Sequence, residues 1–463
     1  MSADSFGAKG RAPSGRPLVA LDEEPTPSAR ARSREELADY LLDIGATLAA
    51  YGCPSYRLED VIRLIADLEG HRADPFALPT GLFLRVTAKD GGGPQVHRMT
   101  RVSDWGVDLA RLTLVDEVFN DVIDRRTTIE QARTRIRQIM TRPPEWSPAM
   151  VFASTAAASG AVAVFFKGGP VEILAAAIVG GAIAGSRLAL SSPRKSVNSA
   201  PDPAEAAGTS RRNARRLLSD FLGGLFAAAC AWLALRVWPE ARPEVIVPAG
   251  AIALFPGMTF TTGVAEVAQK NVVAGGARLI ESAVTLLLIL FGVALMAGIG
   301  EVVGAEMPSW LGDKDKLSGL SLPWQALALL VSSFAFGAVF QVPKRWLWST
   351  FLSSATGWVV ADVAVHYRFP GHVAAFCAAL SVCMLANGLA RVTKRPAQLF
   401  QLPGMMLLVP GSFGFLSLGE FLESDTSHTI RGTQSGFTMA LVGAALVIGV
   451  LVANVVVPSR KLL

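Results

Sequence analysis

Two short segments carry the residue types that moving a polar solute through a membrane requires. Leu254-Phe255-Pro256-Gly257 returns as Leu408-Val409-Pro410-Gly411, and a glutamate follows each proline by ten residues, Glu266 and Glu420. A Pro-Gly pair removes a backbone donor and frees the local dihedrals, so inside an apolar span it marks a helix break where polar cargo could meet unwound backbone. Thr259, Thr261, Thr262 and Ser412 place hydroxyls beside the breaks. A small hydroxylated zwitterion needs an acceptor for its ammonium, donors for its carboxylate and a partner for its hydroxyl, and these groups could supply all three. The same pairs would also serve as kinks used only for packing. Ionisable groups in hydrocarbon are costly and tend to be functional, so Glu266 and Glu420 read as a proton-exchanging gate pair. The competing reading makes each a helix end at the headgroups. Asp362, late in its span after Trp358, is a third candidate, whereas Glu172, Asp220, Glu281 and Glu301 lie in or beside other apolar spans and mostly near their ends.

These residues have to be positioned by membrane helices. The chain has 463 residues, 51% of them hydrophobic and 17% charged, with mean hydropathy +0.40, and the charges gather in its first third. A polar domain therefore precedes a membrane domain. Stretches of about 20 apolar residues cross a bilayer as helices, and ten are read, near 148–166, 171–190, 217–235, 245–265, 279–299, 322–342, 346–365, 373–390, 396–419 and 436–457. Gly160-Ala161-Val162 with Gly180 matches Gly337-Ala338-Val339 with Gly357 at an offset of 177, while the Pro-Gly elements are offset by 154. One insertion in the polar loop between Leu190 and Leu217 accounts for both offsets, so the membrane domain reads as a duplication, 146–300 and 320–458. Five helices is an odd number, so the second copy enters the bilayer from the opposite side. The expected fold is a polytopic α-helical membrane protein, ten transmembrane helices as two inverted five-helix repeats, with an N-terminal soluble α+β domain.

Charge gives the orientation. Lys270, Arg278, Lys344, Arg345, Arg391, Lys394 and Arg395 fall in loops on the side of the polar domain, against fewer such residues, among them Lys167, Arg236, Arg242 and Arg368, on the other side. Positive-inside bias places both termini in the cytoplasm. The same loops account for the net charge of +5 without invoking nucleic acid. Cys53, Cys230, Cys377 and Cys383 fit no metal-ligand spacing, and neither a metal nor a cofactor is expected. Glycine and alanine enrichment would permit packing within one protomer or between several, as a homo-oligomer.

Residues 1–32 read as a disordered tail and 33–142 as a cytosolic α+β domain. Ser33 with Glu36, and Thr127 with Glu130, have capping-box spacing. Two amphipathic helices open the domain, Leu82, Leu84 and Val86 alternate as a strand before a glycine turn and a second strand at 95–102, and two helices close it. Glu59 and Arg63 stand one helical turn apart, as a surface ion pair would, and Arg57, His97, Arg98 and Arg101 make the domain locally basic. Cys53 and His97 are its one conceivable nucleophile and base, with nothing to bring them together. No P-loop, nucleotide-binding glycine fingerprint, HExxH or nucleophile elbow occurs. ATP-driven transport and enzymatic activity are therefore disfavoured.

Tyr51-Gly52-Cys53-Pro54-Ser55-Tyr56-Arg57-Leu58-Glu59, then Leu78-Pro79-Thr80, then Thr100-Arg101-Val102, followed by ten helices with paired Pro-Gly elements, resemble the threonine/serine exporter family over about residues 33 to 457. The resemblance implies efflux of threonine and serine across a bacterial inner membrane, driven by the proton motive force as antiport, with lipid, protons and an amino acid as partners. Ser55, Arg57, Glu59, Thr80 and Arg101 are the cytosolic residues it singles out. Related split systems are associated with dicarboxylate export, so succinate remains an alternative cargo, and a channel gated by the cytosolic domain an alternative mechanism.

Overall fold

A computed structural model describes residues 27–90, 92–102, 106–190, 203–302, 320–408, 411–420 and 426–458. Seven elements form the polar domain: α1 (Pro27–Ala50), α2 (Ser55–Leu68), β1 (His71–Leu78), β2 (Gly81–Ala88), β3 (Val96–Arg101), α3 (Leu109–Ile123) and α4 (Ile129–Thr141). Leu58, Val61, Ile62 and Ile65 give α2 a buried stripe at helical spacing. The antiparallel sheet has the order β1-β2-β3, with Leu82, Leu84 and Val86 of β2 buried while Phe83 and Arg85 face outward. Two local expectations need correction, and one strand is additional to the expected hairpin. β1 is a strand despite Pro75, because it lies at the sheet edge, where a missing donor costs no ladder bond. The capping box of α4 is Thr128 with Gln131, one residue later than read, since Gln131 reaches back to the Thr128 amide. α1 begins at Pro27, so Ser33 lies within the helix and residues 27–32 extend it rather than form a tail.

Thirteen further segments follow. Ser147 caps α5 (Pro148–Phe165), and α6 (Pro170–Leu190), α7 (Pro203–Val237), α8 (Pro243–Gly250), α9 (Gly257–Ala268) and α10 (Val272–Val302) complete one group. The second group is α11 (Leu322–Val339), a 3-10 turn at Lys344–Trp346, α12 (Leu347–His366), α13 (Gly371–Thr393), α14 (Ala397–Met406), α15 (Gly411–Glu420) and α16 (Thr426–Val456). Among the described residues, seven helices are long and apolar enough to cross a membrane: α5, α6, α7, α10, α11, α13 and α16. α12 has 20 residues but a buried row of hydroxyls, Ser349, Thr350, Ser353 and Ser354. α8 with α9 and α14 with α15 are pairs of short helices separated by a break.

The two groups pack alike. α6 lies on α7 and α8, α7 on α10, and α9 on α10; α12 lies on α13 and α14, α13 on α16, and α15 on α16. α5 ends with Gly168 N–H donating to Ala163 O and Lys167 N–H to Val164 O, and α11 ends with Val342 N–H donating to Gly337 O and Gln341 N–H to Ala338 O. Lys167 and Gln341 hold positive φ, 62° and 56°, as this helix ending requires. A Cβ on Gly250 of α8 would stand 2.7 Å from Cβ of Val179 on α6, and one on Gly404 of α14 would stand 2.8 Å from Cβ of Ser353 on α12. These correspondences run at 174 residues for Lys167 to Gln341 and Val179 to Ser353, and at 154 for Gly250 to Gly404. The first offset is three residues, nearly one helical turn, less than the Gly-Ala-Val match suggested. Alanine-rich helices slide by a turn without changing their composition.

The polar domain seats on one face of the helices. Leu109 and Ala110 at the start of α3 donate backbone N–H groups to Phe340 O and Gln341 O, each at 3.0 Å. Glu117 of α3 pairs with Arg395, between α13 and α14, and reaches Arg345. The Trp146 indole donates to Val342 O at 2.8 Å. At the far end of α5, roughly 27 Å away by helical rise, Glu172 accepts from Gly169 N at 2.7 Å and Arg242 N at 3.0 Å, tying the α5–α6 and α7–α8 connections. Glu172 is thus buried at the start of α6, because two backbone donors replace its water.

Where α7 crosses α10, a Cβ on Gly224 would collide with the Ile289 carbonyl and one on Gly292 with that of Phe221. Gly224→Leu and Gly292→Leu should each destabilise by about 1–3 kcal/mol or more, as overpacking does, visible as a lower thermal midpoint in detergent. Gly276→Ala, with nothing within 4 Å of the new methyl, should leave the midpoint unchanged or raise it.

Candidate transport site

The α8–α9 break follows from sequence. Pro248 sits inside α8, Ala251 to Leu254 turn, and Pro256 at φ −79°, ψ 35° precedes the first residue of α9. Pro403 occupies the matching place within α14. A second proline within each broken span went unread in the sequence, although each lies seven or eight residues before its Pro-Gly pair.

The two breaks meet. A Cβ on Gly411 would lie 2.9 Å from Cβ of Phe255 and 3.5 Å from the Gly257 amide nitrogen, so here glycine alone permits the approach. The Phe255 and Phe415 rings stack obliquely across the same junction, 5.2 Å between centroids. Thr261 is buried and returns its hydroxyl to Gly257 O at 2.9 Å, and Ser282 of α10 donates to Arg278 O at 2.8 Å. Thr259, Thr262 and Ser412 are half-buried close to the breaks. Pro410 lies outside the described residues. Asp362 is exposed on α12.

The glutamates occupy different surroundings. Glu266, at the α9 end nearest the polar domain, is fully buried. Its Oε2 accepts from Arg278 Nε of α10 at 3.0 Å, and its Oε1 accepts the Ser55 backbone N–H at 2.9 Å, across 211 residues of sequence. Ser55 is the first residue of α2, whose N-terminal amides have no helical partner and favour a negative charge. Arg278, read from sequence as a loop charge, is buried because Glu266 neutralises it. Glu420 is half-buried at the end of α15. One turn earlier, Ser417 donates to Gly432 O near the start of α16 at 2.7 Å. The opposite end of α16 lies with α13, where Asn387 Nδ2 donates to Asn454 Oδ1 at 2.9 Å.

Ser55 and Glu59 of the polar-domain motif lie at this seam. Glu59 accepts from Arg63 at 2.8 Å, as its spacing suggested, but also from the Ala77 N–H at the open edge of β1 at 3.0 Å and from Asn271 Nδ2 of the α9–α10 turn at 3.5 Å. Thr80 O accepts Val102 N–H at 3.0 Å, and Gly81 pairs with Arg101, so the β1–β2 turn and the end of β3 adjoin. Arg57 is buried, close enough to Cys53 and to Cys383 of α13 for its charge to act on both. Burial pushes the Cys53 thiol up to about 12. His97 is exposed on the outward side of β3, apart from buried Cys53. Among the described residues, no cluster of His, Cys, Asp and Glu could hold a metal ion.

Sequence models of the threonine/serine exporter family match residues 39–200 and 206–300, and a second model of that family matches 325–456. The chain belongs to the threonine/serine exporter family. That family comprises exporters, not enzymes. An uncharacterized protein of Schizosaccharomyces pombe is 24% identical over 414 residues, 86% of this chain and 51% of its own. Pheromone-regulated membrane protein 10 of Yarrowia lipolytica is 22% identical over 397 residues, 83% of this chain and 30% of its own. The exporter-family chain thus spans about half or less of these relatives' lengths. No solved structure matches it.

Breaking the buried pair tests its role in holding the seam. Arg278→Gln leaves the Glu266 charge buried without its counter-ion and should cost about 3–5 kcal/mol. Glu266→Gln combined with Arg278→Gln should recover most of that loss in equilibrium unfolding in detergent; strictly additive losses would mean the two groups do not interact.

Proposed function

We propose that this chain is a secondary exporter of small hydroxy amino acids, threonine and serine, driven by the proton motive force. The observation that carries this reading is the meeting of the two broken helices at Gly257 and Gly411 in a multi-pass membrane protein of the exporter family. Helix ends and unwound backbone at such a junction offer amides to a carboxylate and carbonyls to an ammonium. Thr259, Thr262 and Ser412 stand by with hydroxyls.

The architecture proposed is ten spans in two inverted five-helix repeats, with α8–α9 and α14–α15 as the fourth and ninth. The recurring packing partners support it, as do the α5–α6 and α11–α12 turns, which share one ending but lie at opposite ends of the helices, one remote from the polar domain and one beneath it. Residues 33–142 form the cytosolic domain in this reading, and the basic residues of the turns beneath it, Lys270, Lys344, Arg345 and Arg395, support a cytoplasmic placement. Glu266 and Glu420 end the two half-helices that leave the junction, and we assign them to proton coupling, with the Pro-Gly pairs shaping the substrate site.

The deciding experiment is efflux of threonine, serine and succinate from preloaded cells, with and without an uncoupler. Uncoupler-sensitive threonine or serine efflux is expected. Gly411→Leu, which would drive the breaks apart, should cut that rate at least tenfold with the protein still in the membrane, and Glu420→Gln should abolish uphill efflux. Efflux of succinate alone would reassign the cargo to dicarboxylates, and downhill threonine flux insensitive to the uncoupler would make the protein a channel.

A further inference from the structure

The polar domain touches the two helix groups through contacts of different kinds. Toward α11–α16 the contact is broad: two backbone hydrogen bonds into Phe340 and Gln341, Glu117 with Arg345 and Arg395, and α3 packed on α14. Toward α5–α10, Glu266 takes the first amide of α2, Asn271 reaches Glu59, and β1 packs on α10. The turn that carries Cys53 and Pro54 leads into this second contact. The start of α2 therefore sits at the domain end of α9, the half-helix that leaves the junction of the breaks.

We propose that the soluble domain is a gate that rides on α11–α16 and is latched to α5–α10 by the bond from the Ser55 amide to Glu266, and that substrate passage requires this bond to open. The proposal rests on the exporter reading for what passes, not for the latch itself. A rearrangement of one helix group against the other cannot preserve both contacts. The one that yields is the contact held by Glu266 and Asn271, since the other adds the Glu117 ion pairs with Arg345 and Arg395 to its hydrogen bonds. Glu266 is suited to this use because its second oxygen stays with Arg278, so releasing Ser55 does not leave an unpaired charge in the membrane domain.

The protein carries its own reporter. Cys53 is 1% exposed and its thiol is pushed up to about 12, so in the latched state it should react with a maleimide far more slowly than a free thiol. The test is pulse labelling of the full-length protein in proteoliposomes, with labelled peptides quantified by mass spectrometry and Cys230 of α7 as internal reference. Ser55→Pro removes only the donor, because proline suits the first helical position and Pro54 already has the extended conformation a following proline requires. Ser55→Pro and Glu266→Gln should each raise the Cys53 rate at least tenfold relative to Cys230, and saturating threonine should raise it in the wild type.

Unchanged Cys53 labelling in both variants would overturn the latch. So would a rise matched at Cys230, which would mean general loosening. A response to both variants but to none of threonine, serine or succinate would support the latch while removing the proposed cargo.

Discussion

A carboxylate buried between a guanidinium and a helix N-terminus is the constraint on which this structure turns. Glu266 has no exposed surface, and a lone charge in such a place would cost several kcal/mol. Arg278 and the Ser55 amide together make it tolerable, and in doing so they join three parts of the chain. α9 and α10 are held at their shared turn, α2 is given the anion its N-terminus favours, and the soluble domain is fixed over the membrane helices. Removing Glu266 takes this acceptor from both Arg278 and the Ser55 amide, and removing Arg278 takes the counter-ion from the carboxylate.

The junction of the breaks depends on a second constraint, steric rather than electrostatic. Two helices can be interrupted by proline anywhere, but backbones can approach this closely only where at least one of them lacks a side chain. Gly411 against Phe255 and Gly257 satisfies that condition, and so do Gly250 against Val179 and Gly404 against Ser353, which press each first half-helix onto α6 or α12. Glycine here sets how closely the elements approach; it does not loosen them. The hydroxyls and freed backbone groups near the junction are consequently held by packing, and cargo would meet a preformed surface.

Much of this was legible in sequence. The two Pro-Gly segments, the two glutamates and the apolar spans are local features, fixed by residue type and by periods of 3.6; Gly257 and Gly411 open α9 and α15, and seven of the expected spans coincide with helices long and apolar enough to cross a membrane. The hydroxyl beside each break and the Glu59–Arg63 pair were equally readable. Glu266's partners were not, because nothing in the sequence near residue 266 points to residue 55. Arg278 was misread for a related reason: a basic residue near a predicted span end looks like a loop charge until a buried acid is found opposite it. β1 was hidden by Pro75, whose usual meaning is reversed at a sheet edge. The repeat register was displaced by a turn because Gly and Ala recur too often to fix it, whereas the positive-φ residues Lys167 and Gln341 fix it from backbone geometry.

The glutamates also show how a duplicated element can diverge in use. Glu266 and Glu420 occupy the same place in their sequence repeats, but the polar domain covers only one end of the helices. At that end the carboxylate is enclosed, paired and bonded to another domain; at the other it is half-buried near the start of α16. A symmetric pair of proton sites would require equal access, and the soluble domain denies it to Glu266 for as long as Ser55 stays in place. Movement of that domain would therefore also let the Glu266 carboxylate meet water, so that in the proposed exporter opening toward that side and proton access there would be one event.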